Sequence, residues 1–116
     1  MSKIFLKTKL KSKNENHEFS GKAIKNKNII TYNDNKVITK IIMDKIISIE
    51  RNSDEYLKLS FQEGKKLKGK YITKYGELEI ETNTKKLEKN KITYDLYINE
   101  HFIDTFTYNF EYSIDS

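Results

Sequence analysis

Five separate runs of this chain alternate apolar and polar residues with a period of two. Ile4, Leu6, Thr8 and Leu10 alternate with Lys3, Lys7, Lys9 and Lys11, and Leu57, Leu59 and Phe61 with Lys58 and Ser60. Leu78, Ile80, Thr82 and Thr84 alternate with Glu77, Glu79, Glu81 and Asn83. Ile92, Tyr94, Leu96 and Ile98 alternate with Thr93, Asp95 and Tyr97, and Phe106, Tyr108, Phe110 and Tyr112 with Thr105, Thr107, Asn109 and Glu111. This period puts every second side chain on one face of a strand, so each run is a strand with one buried and one wet face. No stretch carries a 3.6-residue repeat of comparable length. Residues 37–50 are ambiguous, because Ile38, Ile41, Ile42 and Ile46 would share a helix face. Heavy β-branching and the lack of a cap before Val37 favour two short strands with a turn near Asp44–Lys45.

Turn formers separate these runs. They include Asn14–Asn16, Asn26–Asn28, Asn33–Asn35, Gln62–Gly64 and Asn99–His101. Asn, Asp and Gly tolerate the left-handed backbone of tight hairpins, and a spacing of about ten residues suits an antiparallel meander. A meander left open would expose two edges, and closure removes them. Charge supports closure. Residues 1–13 carry five lysines and no acid, whereas residues 95–116 carry Asp95, Glu100, Asp104, Glu111 and Asp115 and no Lys or Arg. The expected fold is all-β, a single antiparallel up-and-down barrel of about 8–10 strands. It forms one domain over residues 1–116, with strand 3–11 paired to strand 102–112.

Composition removes whole classes of chemistry. The 116 residues include no cysteine, which excludes a disulfide framework, a thiolate metal site and a thiol nucleophile. The two histidines, His17 and His101, lie beside turns, far apart, and are expected at the surface. No HExxH, phosphate-binding Gly loop or nucleophile elbow occurs. The MSKIFLKTKL start lacks the apolar core of a signal peptide, and no run could span a bilayer. A soluble, cytoplasmic protein with no membrane contact is expected. Net charge is +5, yet lysine supplies all but one of the 22 basic residues. A dedicated phosphate or base reader usually uses more arginine.

The stretch YLKLSFQEGKKLKGKYITKYGELEIETNTKKL (56–87) resembles a bacterial family catalogued as domain of unknown function 1934, the YwiB-like proteins. Leu59, Phe61, Gly64, Tyr71, Thr73, Tyr75, Gly76, Leu78, Ile80 and Thr84 carry the pattern. Upstream, Gly21, Tyr32, Asp34, Thr39 and Arg51 look like further family positions. Where the family has a Gly soon after the Arg, Asn52–Ser53–Asp54 stands here. The resemblance implies a calycin-like, lipocalin-type barrel. It implies no activity and no catalytic residue.

Candidate site residues follow from parity. Arg51, the only arginine, shares a face with Ile47 and Ile49. It is expected inside the barrel, either meeting a ligand carboxylate or phosphate or closing one barrel end structurally. Tyr71, Thr73 and Tyr75 share a face, and Tyr94 and Tyr108 point inward from their own strands. Their hydroxyls could orient a small amphipathic ligand, or could be satisfied within a packed core. Ile80, Leu96, Phe110, Tyr71 and Tyr94 are expected to converge on one cavity, with Gly69 leaving room among them. Lys66, Lys68, Lys70 and Lys74 face away from Leu67 and Tyr71. Lys–Glu pairing with Glu77, Glu79 and Glu81 across the turn accounts for both runs better than nucleic acid or a metal.

These readings favour a non-enzymatic binder of a small, partly apolar ligand, with no cofactor and no metal. A filled barrel serving as a protein-interaction module is the first alternative. Weak binding of nucleic acid or another anionic surface by the Lys-rich outer strands is the second. The oligomeric state is not legible.

Overall fold

In the computed structural model the described residues are 1–114. They form twelve strand segments and no helix. The order is β1 (Ser2–Lys11), β2 (Asn16–Asn26), β3 (Ile29–Asp34), β4 (Val37–Met43), β5 (Ile47–Asn52), β6 (Tyr56–Phe61), β7 (Lys66–Lys68), β8 (Lys70–Thr73), β9 (Gly76–Leu78), β10 (Ile80–Glu88), β11 (Lys91–Ile98) and β12 (His101–Ile114). No helix is long and apolar enough to cross a membrane among the described residues.

All segments belong to one antiparallel sheet whose order runs β7-β10-β11-β12-β1-β2-β3-β4-β5-β6-β8-β9. Its two ends are one hairpin. Lys68 opposite Glu81 and Tyr71 opposite Leu78 keep a single register, and Gly69 N donates to the Ile80 carbonyl between them. β7 with β8, and β9 with β10, are therefore two halves of two longer strands. The sheet curls into an up-and-down barrel of ten strands, counted this way. The short loops use the expected residues. Asn35–Lys36 and Asn99–Glu100 both take positive φ, the backbone of a two-residue hairpin turn with the twist of the flanking strands. Residues 37–50 form two strands around 44–46, as β-branching predicts.

The β1–β12 seam forms as expected, from Ile4 opposite Ile114 to Lys11 opposite Thr107. Its charge complement contributes less than the sequence suggests. Lys7 opposite Glu111 is the one charged pair in register, and no ion pair within 4.0 Å joins the two strands among the described residues. Asp115, part of that complement, lies outside the described residues. Burial carries the seam instead. Ile4 and Leu6 are completely buried, and Phe110 nearly so. Each such side chain contributes about 1.5–3 kcal/mol, against roughly 0.2–1 kcal/mol for a cross-strand charge pair.

The interior has two halves. Near the end bounded by the chain termini, Ile4, Leu6, Ala23, Ile30, Ile41, Phe61 and Ile92 pack solidly. Phe61 leans on Tyr94 (ring centroids 4.7 Å apart), and Tyr94 stacks on Phe106 at 5.6 Å. These three rings floor the other half, which is hollow.

Gly69 decides how the barrel closes, and it does not do so by leaving an empty space. β8 pairs with β6 only through Lys58 opposite Lys70. Beyond that point β6 leaves the ladder and runs against the buried side of β10, where Thr82 Oγ1 donates to the Ser60 carbonyl. A Cβ on Gly69 would overlap the Lys58 carbonyl oxygen and crowd Ile80 Cγ2 at 3.1 Å. The missing side chain is filled by neighbouring backbone, so a larger residue here collides with the wall rather than filling the cavity. We predict that Gly69→Ala lowers the unfolding free energy by about 1–3 kcal/mol in urea titration. Gly21→Ala should cost less, because the nearest neighbour of its new Cβ is the Phe19 ring edge at 3.1 Å, which can swing aside.

Candidate functional site

The hollow half of the barrel is a cavity of about 320 Å³. It opens at the end carrying the β1–β2, β3–β4, β5–β6, β8–β9 and β11–β12 turns. Its wall is mainly aliphatic, with Leu10, Ile49, Leu57, Leu59, Ile80, Leu96 and Ile98 from five strands, and Phe106 below them. All have the inward parity of their strands. Ile103 joins them at the rim because a bulge inserts it between the Leu96–Asp104 and Tyr97–Phe102 pairs.

Hydroxyls interrupt this wall at a few points. Tyr32 and Tyr108 share a 2.9 Å hydrogen bond between their phenols, from β3 and β12, which have β1 and β2 between them. The buried Thr8 and Thr39 hydroxyls lie beside the same space. Tyr94 is only 4% exposed, and its phenol has no hydrogen-bond partner among the described residues. Burial pushes the Tyr94 phenol well above the ordinary value of 10.0, the Arg51 charge pulls it partly back, and Glu15 acts more weakly upward. The Tyr108 phenol is raised chiefly by burial as well, then by its neighbour Tyr32.

The rim is charged. Arg51, Glu15, His17 and Asp34 border the opening. His17 Nε2 lies 2.6 Å from Asp34 Oδ2, joining β2 to β3 where their backbones have separated. β2 pairs with β3 only from Ile24 to Asn26, and side chains bridge the remainder. Phe19 lies 4.6 Å from Tyr32, centroid to centroid, just below the His17–Asp34 contact. Both histidines are exposed, as expected, but His17 also meets an acid. Its acid comes from the next hairpin across an unpaired gap, which sequence spacing does not reveal.

Of the expected site residues, Arg51, Tyr71, Tyr94 and Tyr108 border the cavity. Arg51 is exposed rather than buried, because it lies near the end of β5, where the barrel opens. Among the described residues no carboxylate lies within 4.0 Å of it. Tyr71 sits at the rim, its phenol donating to Glu55 Oε1 at 3.3 Å, and partial burial and the Glu55 charge raise its pKa. Thr73 and Tyr75 belong elsewhere. Thr73 closes the β8–β9 turn, its hydroxyl donating to the Gly76 carbonyl and accepting from Tyr75 N. Tyr75 is in the turn itself, 88% exposed, where strand parity no longer applies. Ile80, Leu96, Tyr71 and Tyr94 converge as expected, whereas Phe110 packs outside the cavity, in the solid half.

Tyr32, Asp34 and Thr39 were not expected at the site. Parity with the buried Ile30 and Ile41 was the available signal for Tyr32 and Thr39. On the outer face, Lys68 stands opposite Glu81, but no Lys66, Lys68, Lys70 or Lys74 ion pair within 4.0 Å forms among the described residues.

We predict that Tyr108→Phe costs about 1–3 kcal/mol, because it removes one partner of a buried pair. The pH dependence has a definite sign. Folding raises the Tyr94 and Tyr108 phenols above 10.0, so the folded state holds these protons more tightly than the unfolded chain. Their stabilisation is complete below pH 10.0 and is lost as pH rises beyond it. Urea midpoints measured against pH should fall less steeply on the alkaline side for Tyr108→Phe than for the parent.

Nothing among curated proteins matches the chain. The crystal structure of the YwiB protein from Bacillus subtilis is similar, with a TM-score of 0.54 at 17% identity. The match covers 96% of this chain and 90% of that one, and at this identity it is a likeness of fold. A family model described as domain of unknown function (DUF1934) matches residues 4–110. That span takes in all of the cavity-lining residues, from Thr8 to Tyr108, and the chain belongs to the DUF1934 family.

Proposed function

We propose that this is a cytoplasmic, non-enzymatic binding protein that holds one small, partly apolar ligand in the open half of its barrel. The observation that carries the reading is the cavity of about 320 Å³, walled by aliphatic side chains and interrupted by few hydroxyls. Useful ligand sites begin near roughly 300 Å³ and have this composition, mostly apolar with a small number of placed polar groups. A solid core would have closed this space, as it does in the other half, where Phe61 and its neighbours are almost fully buried. The Tyr94 phenol is a second support, since it borders the cavity and makes no hydrogen bond among the described residues, which leaves it available to a ligand.

Native mass spectrometry of the protein purified from its own host tests this. The expected result is a species heavier than the 13.8 kDa chain by one small molecule. Leu57→Trp, at the rim of the cavity, should fill the space and abolish the added mass. Its folding free energy should stay within about 1.5 kcal/mol of the parent. A bare mass in the parent would turn the reading toward a barrel whose outside is the working surface.

One observation favours weak binding of nucleic acid as the second reading. Lys66 Nζ lies 4.3 Å over the Tyr97 ring, and Phe102, packed against Tyr97, is 55% exposed. Lysines and aromatic rings thus share one outer face, with the rings supplied by β11 and β12. Stacking platforms for single strands need that combination. Exchange of Lys66, Lys68 and Lys70 for Gln would remove salt-dependent oligonucleotide binding under this reading, and would change nothing under the first.

A further inference from the structure

We infer that the ligand is a monocarboxylate amphiphile, its carboxylate paired with Arg51 and its chain lying in the cavity, with the Tyr94 phenol as the free donor facing it. This rests on the binding reading above and adds the class of ligand.

Three features of the site carry it. The first is the guanidinium. Arg51 is the chain's only arginine, it borders the cavity, and among the described residues no carboxylate satisfies it within 4.0 Å. A planar fork of donors at the mouth of an apolar space matches a carboxylate bidentately. The second is the field inside. Arg51 acts on the Tyr94 phenol more strongly than Glu15 does, but burial outweighs both, so a negative head group belongs at the mouth beside Arg51 and not deep in the cavity. Asp34 is already engaged by His17 at 2.6 Å. Glu15 still disfavours a dianion, which selects a carboxylate over a phosphate monoester. The third is size. At the packing density of protein interiors, the cavity holds roughly ten heavy atoms, the length of an eight-carbon acid. Leu57, Leu59, Ile80 and Leu96 offer such a chain no hydrogen-bonding group.

Isothermal titration calorimetry with octanoate, octanol and octylammonium separates head group from tail. Octanoate should bind about tenfold or more tightly than octanol, and octylammonium more weakly than either. Arg51→Gln should weaken octanoate binding by about tenfold to a hundredfold and leave octanol binding unchanged, which also shows that the variant is folded. Arg51→Lys should fall between, because it keeps the charge and loses the fork. Equal binding of octanoate and octanol, with no effect of Arg51→Gln, would overturn the carboxylate assignment and leave the cavity reading standing. Binding of none of the three would also overturn the assignment, and the co-purified mass then decides the cavity reading on its own.

Discussion

The architecture depends on one close approach, the Lys58 carbonyl lying where a side chain at position 69 would be. A ten-stranded meander of about six to fourteen residues per strand has more wall than its few large side chains can fill. By letting β6 leave its ladder and cross toward β10, Gly69 draws the wall inward over part of its circumference. Ser60 and Thr82 then share a hydrogen bond, and Phe61 is carried fully inside. Phe61 supports Tyr94, and Tyr94 supports Phe106. The floor of the cavity is thus a consequence of a glycine in the wall.

Above that floor the balance of interactions changes. In the packed half, stability comes mainly from aliphatic burial, with Thr82 bonded to the Ser60 carbonyl and Thr84 Oγ1 without a partner among the described residues. In the hollow half, the interior holds phenols and threonine hydroxyls, each of which needs a partner. Tyr32 and Tyr108 supply one another from β3 and β12. Asp95, on the outer side of β11, is likewise satisfied by Thr105 at 2.6 Å and Lys85 at 3.5 Å. The second contact exists because a bulge frees Lys85 from the β10–β11 register. Tyr94 has no such arrangement. Its phenol borders the cavity, so a molecule bound there would add to stability through it.

Much of this was legible in the sequence, and the failures share physical causes. Parity placed Ile4, Leu6, Thr8, Leu59, Ile80, Tyr94 and Phe106 on the inner face, because a strand offers only two directions. It could not report depth along the barrel, so Phe110 was assigned to the cavity and lies in the solid half. It lost meaning where strands end. Tyr75 is in a turn, and Arg51 has inward parity at an open mouth, which leaves it exposed. Contacts across unpaired wall were invisible, since nothing in the spacing of His17 and Asp34 predicts a 2.6 Å contact. Gly69 was read as space because a glycine in a strand can mean either an opening or a close backbone approach, and only the fold distinguishes them.

The wall itself is uneven in a way that bears on the cavity. Around most of the barrel each strand has a continuous ladder on both sides, but β2 from 16 to 23 lacks one toward β3 among the described residues. A missing ladder removes the cooperative backbone contribution that makes core strands the last to open. Two side-chain contacts replace it, Phe19 on Tyr32 and His17 with Asp34, and His17 is solvent-exposed enough for its contact to be weakened by water and salt. Tyr32 belongs both to this bridge and to the buried phenol pair. A weakly laddered part of the wall is therefore coupled, through one side chain, to the polar centre of the cavity.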